Sequence, residues 1–203
     1  VGRKGQPYTM YKLRSMRCDA EAKTGPAWTK DCGDPRITPL GRWLRKLHLD
    51  ELPQLFNVLR GEMSLIGPRP ERPEFVEVLK EAIPGYERRL AVSPGITGLA
   101  QINLPPDTDL DSVRRKQVLD LQYTQQASIL LDLRILMATT MRIVGVPGSF
   151  AAWAAGVERQ VNLPNLEDTV DDSAATNLSD TVTLSTLVDR IGDASTVSNA
   201  GGR

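Results

Sequence analysis

From residue 38 onward the apolar positions follow helical spacing. Thr38-Pro39 has the form of a helix start, a capping hydroxyl followed by proline at the first helical position. Leu40, Trp43, Leu44 and Leu47 then recur at i, i+3, i+4 and i+7, with Arg42, Arg45 and Lys46 on the other face. A second helix is predicted from Asp50, with Leu52, Leu55, Phe56 and Leu59 as its stripe and Gly61 as its stop. Gly67-Pro68-Arg69-Pro70 reads as a stiff turn. A third helix runs from Pro73 to just before Pro84-Gly85. Helices are also predicted over 109–124, with Val113, Val118 and Leu121 inward, and over 128–144, rich in Ile, Leu and Met. Residues 7–14 and 96–102 read as strands of β-favouring residues, and in the first of these Lys12 and Arg14 share one face. Residues 18–36 read as a loop. The fold class expected is α+β: mostly helical, with a small β-sheet and amphipathic helices suited to an interface.

From about residue 157 Ser, Thr, Asp and Asn dominate, and disorder is expected there, with one short helix between Leu184 and Ile191. The expected division is a catalytic domain over 1–145 and an acidic, low-complexity tail over 146–203.

The full chain has 203 residues, is 40% hydrophobic and carries no formal net charge, but the charge is segregated. Residues 1–70 have a net charge of +6 and residues 157–203 a net of −5. A basic front half suits an anionic partner such as a phosphate or lipid headgroups, or it forms a solvated face. No aromatic stacking stripe or DNA-binding motif accompanies it, so nucleic acid is not expected as a partner. Cys18 and Cys32 are not in metal-binding spacing, and His48 is the only histidine, so no zinc site or Cys–His pair is expected. No apolar run reaches the length needed to span a bilayer, which by itself suggests a soluble or peripheral protein.

Asp50 and Glu51 hold the main candidate chemistry. At a helix start they complement the backbone dipole, and the same field keeps a carboxylate ionised and therefore nucleophilic towards phosphorus. Adjacent acids also suit Mg²⁺, which binds one or two carboxylates together with substrate phosphate. Arg69, between two prolines, is either a surface turn residue or a forked phosphate grip. Lys12 and Arg14 are further cation candidates, or residues of a solvated edge strand. His48 is either a base beside Asp50 or a packing residue.

The block from Arg36-Ile37-Thr38-Pro39-Leu40-Gly41-Arg42 through Asp50-Glu51-Leu52-Pro53-Gln54-Leu55-Phe56-Asn57 to Gly67-Pro68-Arg69-Pro70 resembles the signature of the monotopic phosphoglycosyl transferases, the bacterial sugar transferase family. Tyr11 to Met16, Ser93 to Gln101, Leu119 to Tyr123 and Leu131 to Leu136 resemble its other elements in order, over about residues 1–145. The resemblance implies transfer of a phosphosugar from a UDP-sugar to polyprenyl (undecaprenyl) phosphate, as an early membrane step of exopolysaccharide or glycoconjugate synthesis. It implies Asp50 as nucleophile and Glu51, with Asp50, as ligands of Mg²⁺. It also implies phosphate binding by Arg69, Lys12, Arg14 and Arg42. Asp120 is a lesser candidate that also reads as a solvated helix acid. The location implied is the cytoplasmic face of the bacterial inner membrane, and a homodimer is left open. The family's hydrophobic N-terminal anchor precedes the point where this chain begins, so an N-terminal truncation is expected. Leu13, His48 and Leu99 depart from common family residues. A non-catalytic binding module of the same fold is the alternative.

Overall fold

A computed structural model describes residues 1–20, 22, 34–107 and 109–161 of the chain. Cys32 and the segment from 162 onward, including the short helix expected near Leu184, lie outside the described residues. The fold is mostly helical around a small parallel sheet, as expected. Helix α1 spans Pro39–Lys46, and Thr38 caps it by accepting from the Gly41 N–H at 2.9 Å. Its apolar stripe does not enter the core: Leu40 and Trp43 are exposed. The residue facing the body is Gly41, which lies so close to the Ser15 carbonyl that a methyl group there would overlap it. The close approach of backbone to backbone decides which face of α1 turns inward.

The single helix expected from Asp50 is divided. Leu49–Glu51 forms a tight 3₁₀ turn and helix α2 spans Gln54–Leu59. Pro53 lies between them and has no N–H to continue a common ladder. Helix α2 packs with its polar side inward: Gln54 and Asn57 are buried, whereas Leu52, Leu55, Phe56 and Leu59 are exposed, Leu59 by 83%. Asn57 explains this inversion. Its amide donates to the Thr9 carbonyl at 2.8 Å and to Glu62 at 2.7 Å, and its oxygen accepts from the Tyr11 N–H at 3.0 Å. The expected strand over 7–14 therefore has no sheet partner among the described residues. The segment is pinned by the Asn57 side chain and by Leu13 N–H donating to the Asp50 carbonyl at 3.0 Å. These bonds satisfy backbone groups that a sheet would otherwise pair.

Strand β1, Ser64–Ile66, pairs in parallel with β2, Gly95–Thr97, with Ser64 opposite Gly95 and Ile66 opposite Thr97. Helix α3, Pro73–Ala82, and a 3₁₀ segment, Tyr86–Ala91, form the connection between them. The strand expected over 96–102 stops at Thr97, and helix α4, Leu99–Asn103, follows directly. Leu, Ala and Gln favour helix there, and Leu99, Ala100 and Ile102 bury one face.

Helix α5, Leu110–Gln126, starts with a reciprocal Asp109–Ser112 capping box, and helix α6, Ile129–Ile143, starts at a Ser128 cap. On α5, Val113 is buried, but Val118, expected inward, is exposed. On α6, Ile135 and Ala138 enter the core while Ile129, Leu130, Leu133 and Met137 stay outside. Helix α7, Gly148–Ala154, packs Ala151 and Ala152 into that core, and Ala155 and Val157 follow them. The folded body therefore extends beyond residue 145. A second cluster, formed by Phe75, Val76, Leu79, Ile83, Tyr86 and Val113, lies under α3.

The sheet is held where Gly95 and Gly67 touch. A methyl on Gly95 would overlap the Gly67 backbone nitrogen. Gly95→Ala is expected to destabilise the fold by about 2 kcal/mol or more, because the obstacle is backbone that cannot rotate aside. Urea denaturation measures this directly, and an unchanged midpoint would contradict the packing described.

Candidate active site

Lys12, Asp50, Glu51 and Arg69, four of the expected site residues, come from three separate segments, and these segments meet. Lys12, on the extended segment, places its Nζ 3.1 Å from Asp50 Oδ2 and 3.4 Å from Glu51 Oε1. Arg69, from the turn after β1, places Nη2 2.8 Å from the same Glu51 oxygen. Asp50 is 2% exposed, with Lys12 beside it, while Glu51 faces the adjoining cavity. His48 precedes them in the left-handed region, with φ of 54°. Together with the 3₁₀ turn, this bend presents two consecutive carboxylates to cations on either side. The expected origin of the carboxylate field, the first turn of a regular helix, is corrected: the acids lie before α2, and the nearest positive charges are side chains.

The second oxygens of Asp50 and Glu51 have no hydrogen bond or ion pair with a described residue, and neither do Nε and Nη1 of Arg69. Burial alone would raise the Glu51 pKa. Arg69, and then Lys12, outweigh it and hold the carboxyl below its usual range. Glu51 is therefore an anion at neutral pH.

The adjoining cavity has a volume of about 560 Å³. Glu51, Arg69, Glu71, Asp107 and Lys116 give it charged groups, whereas Leu52, Leu55, Leu65, Ile96, Leu136 and Ile143 supply apolar wall from the turn before α2, α2 itself, the sheet and α6. The last three charged residues form a cluster: Lys116 Nζ lies 2.6 Å from both Glu71 Oε1 and Asp107 Oδ2. Burial would lower the Lys116 pKa, but its two carboxylates outweigh this and raise it. Burial would likewise raise Glu71, and Lys116 outweighs it so that the pKa falls. None of this cluster was singled out from the sequence. An acid directly after the Arg69-Pro70 turn was the available sign, but a lysine and an aspartate far along the chain carry no local pattern that joins them to it.

The other candidates lie elsewhere. Arg14 donates to Cys18 Sγ at 2.9 Å, away from the two acids. Arg42 is exposed on α1 with no ion pair to a described residue. His48 lines the cavity beside Glu51. Asp120 is neither solvated nor in the cavity lining. It is buried against Arg89, whose Nη2 lies 2.7 Å from Asp120 Oδ2. Helical periodicity placed Asp120 on a polar face because the buried cation that meets it comes from a different segment.

A family model described as bacterial sugar transferase matches residues 1–145. The chain is 46% identical over 140 residues to an undecaprenyl-phosphate glucose phosphotransferase of Komagataeibacter xylinus, covering 66% of this chain and 26% of that protein. It is 56% identical over 90 residues to a protein of Bacillus subtilis named as an undecaprenyl-phosphate N-acetylgalactosaminyl 1-phosphate transferase, covering 44% and 49%. It is 43% identical over 144 residues to a UDP-N-acetylgalactosamine-undecaprenyl-phosphate N-acetylgalactosaminephosphotransferase of Aeromonas hydrophila, covering 71% and 34%. The chain thus spans about a quarter to a half of the length of these relatives.

The lowered Glu51 pKa gives a pH prediction. Its stabilising contribution is complete above the unfolded value of 4.5 and is lost as pH falls through the lower folded value. Glu51→Gln is therefore expected to lower the melting temperature at pH 7 and to leave a smaller acid-induced decline below pH 4.5. Parallel melting-temperature profiles of the two proteins across pH 2–7 would contradict this ion-pair arrangement.

Proposed function

Since this chain belongs to the bacterial sugar transferase family, we propose that it transfers a sugar 1-phosphate from a UDP-sugar to undecaprenyl phosphate, with Asp50 as nucleophile. The observation that carries the reading is the convergence of Lys12, Asp50, Glu51 and Arg69 beside a cavity with a charged side and an apolar wall. One Asp50 oxygen attacks the phosphorus that bears the sugar. The bond from that phosphorus to the bridging oxygen breaks, and UMP leaves with the electron pair. An oxygen of undecaprenyl phosphate then attacks the same phosphorus, forming the diphosphate-linked product and releasing the Asp50 carboxylate.

Each cation has a role in this sequence. Lys12 covers Asp50 in the free protein, so an incoming diphosphate draws the ammonium onto itself and exposes the carboxylate. Arg69 presents the open side of its fork to phosphate oxygens. The apolar wall suits an isoprenoid chain, and the charged side suits the nucleotide-sugar. The free oxygens of Glu51 and Asp50 fit Mg²⁺, which takes few protein carboxylates and completes its shell with phosphate and water. Bound there, the ion would reduce the repulsion between an attacking carboxylate and a diphosphate.

The membrane contact proposed is peripheral. No helix among the described residues is long and apolar enough to cross a bilayer. Outward Leu40 and Trp43 of α1, Phe56 and Leu59 of α2 and Ile129, Leu130 and Leu133 of α6 provide apolar surface, and exposed Arg42 and Lys46 complement anionic headgroups. The face proposed is that of the cytoplasmic leaflet, where both substrates are met.

Asp50→Asn is expected to abolish UMP release from a UDP-sugar. Arg69→Lys is expected to lower turnover by roughly 10- to 100-fold, since an ammonium cannot reproduce a forked grip. Chelation by EDTA is expected to stop turnover, and added Mg²⁺ to restore it. If the unmodified protein binds UDP-sugar but releases no UMP in the presence of Mg²⁺, it is a binding module and not a transferase. Phe56→Ser with Leu59→Ser is expected to reduce co-sedimentation with anionic vesicles severalfold, and equal sedimentation would remove α2 from the contact surface.

A further inference from the structure

We propose that Arg89 is a positioning residue for Arg69, acting through the backbone of the Gly67–Pro70 turn and not on substrate; the inference rests on the phosphate-gripping role assigned to Arg69 above. Arg89 and Asp120 are both 2% exposed, and Arg89 is not part of the cavity lining. Its guanidinium reaches in three directions. Nε donates to Asp120 Oδ2 at 2.9 Å, and Nη1 donates to the Tyr86 hydroxyl at 2.7 Å. Nη2 donates to the backbone carbonyl of Arg69 at 2.9 Å and lies 2.7 Å from the same Asp120 oxygen. A single buried group thus joins α5, the 3₁₀ segment Tyr86–Ala91 and the turn that carries Arg69.

The turn is held at three consecutive residues. Gly67 N–H donates to the Thr97 carbonyl at 2.9 Å, and the Pro68 carbonyl accepts from Gly95 N–H at 2.9 Å. The third tether, at the Arg69 carbonyl, is Arg89. The first two come from β2 and are ordinary backbone pairs. The third is a side chain, and it acts at the residue whose guanidinium must be aimed. Prolines 68 and 70 have no N–H with which to hold the turn themselves.

Energetics separate positioning from simple stabilisation. Desolvating an arginine and an aspartate costs several kcal/mol per ion, and a well-packed apolar pair commonly stabilises as well or better. A buried pair is therefore a poor device for stability alone. What a guanidinium provides is a planar fork that can meet several acceptors at fixed angles, which a lysine cannot do. Among the described residues, the Arg69 guanidinium is itself anchored only at Nη2, by Glu51. Its aim therefore depends on where its backbone is held.

A double-mutant cycle on UMP release tests this. Arg89→Lys is expected to lower kcat/KM by about 10-fold or more in the unmodified protein, since small misplacements at a reacting centre are costly. In an Arg69→Ala background the same change is expected to cost less than about 2-fold, because residues that act as a unit are non-additive. An equal loss in both backgrounds would assign Arg89 a structural role only and overturn the proposal. A second readout needs no turnover: the Arg69 Nε–H NMR signal is expected to shift or broaden in Arg89→Lys. An unaltered signal overturns the proposal even in a chain that releases no UMP, whereas absence of UMP release in the unmodified protein counts against the reaction and not against the tether. If Arg89→Lys fails to fold, Tyr86→Phe removes one of the three acceptors that orient Arg89, with little change of volume, and is read by the same two measurements, with the same outcomes deciding.

Discussion

One oxygen atom joins the site. Glu51 Oε1 meets Lys12 from the N-terminal segment and Arg69 from the turn after β1. Its two partners lie 39 and 18 residues away in the chain, so this contact exists only if three separate pieces of backbone are correctly placed. Each placement has its own cause. The Asn57 amide ties down the segment that carries Lys12, the left-handed His48 turns the acids towards it, and Gly67, packed against Gly95, brings the Arg69 turn against the sheet. The charges do not assemble the fold. The fold confines two carboxylates and two cations to one place, and the cations beside Glu51 hold its carboxyl below the usual range.

The reaction proposed above meets a general difficulty of carboxylate nucleophiles. An isolated buried aspartate would take up a proton, and a fully exposed one would be hydrated and slow. Asp50 is almost fully enclosed and lies 3.1 Å from the Nζ of Lys12, which is partly exposed. In the reaction proposed above, substrate phosphate competes with Asp50 for this cation.

The regular helices could be read from local chemistry: the Thr38 cap, the Pro73 start and the helices expected over 109–124 and 128–144 all occur close to where the chain pattern places them. The errors share a different origin. Residues 7–14 have β-favouring side chains and an extended backbone, but their partner is the side chain of Asn57, which no strand pattern encodes. Leu52, Leu55, Phe56 and Leu59 have helical spacing, and spacing gives the face without saying whether the face looks inward. Asn57 settled that by being the residue whose hydrogen bonds require the interior. Asp50, Glu51 and Arg69 were recognisable because the motif is contiguous. Glu71, Asp107, Lys116 and Arg89 were not, because they are joined only in three dimensions. Asp120 was noticed, but its partner was not, and so its place behind the turn was missed.

Helix α7 bears on where this fold ends. Val157 is completely enclosed, and its carbonyl accepts from Asn103, whose own oxygen accepts from the Arg159 N–H at 2.8 Å. The residues after 145 therefore close a seam against α4 and α6. A boundary drawn where family similarity stops would cut through that seam and leave Ile135, Ala138 and Leu99 facing solvent. For anyone excising or grafting this folded body, the unit has to include at least Val157, a dozen residues beyond the stretch that the family model matches.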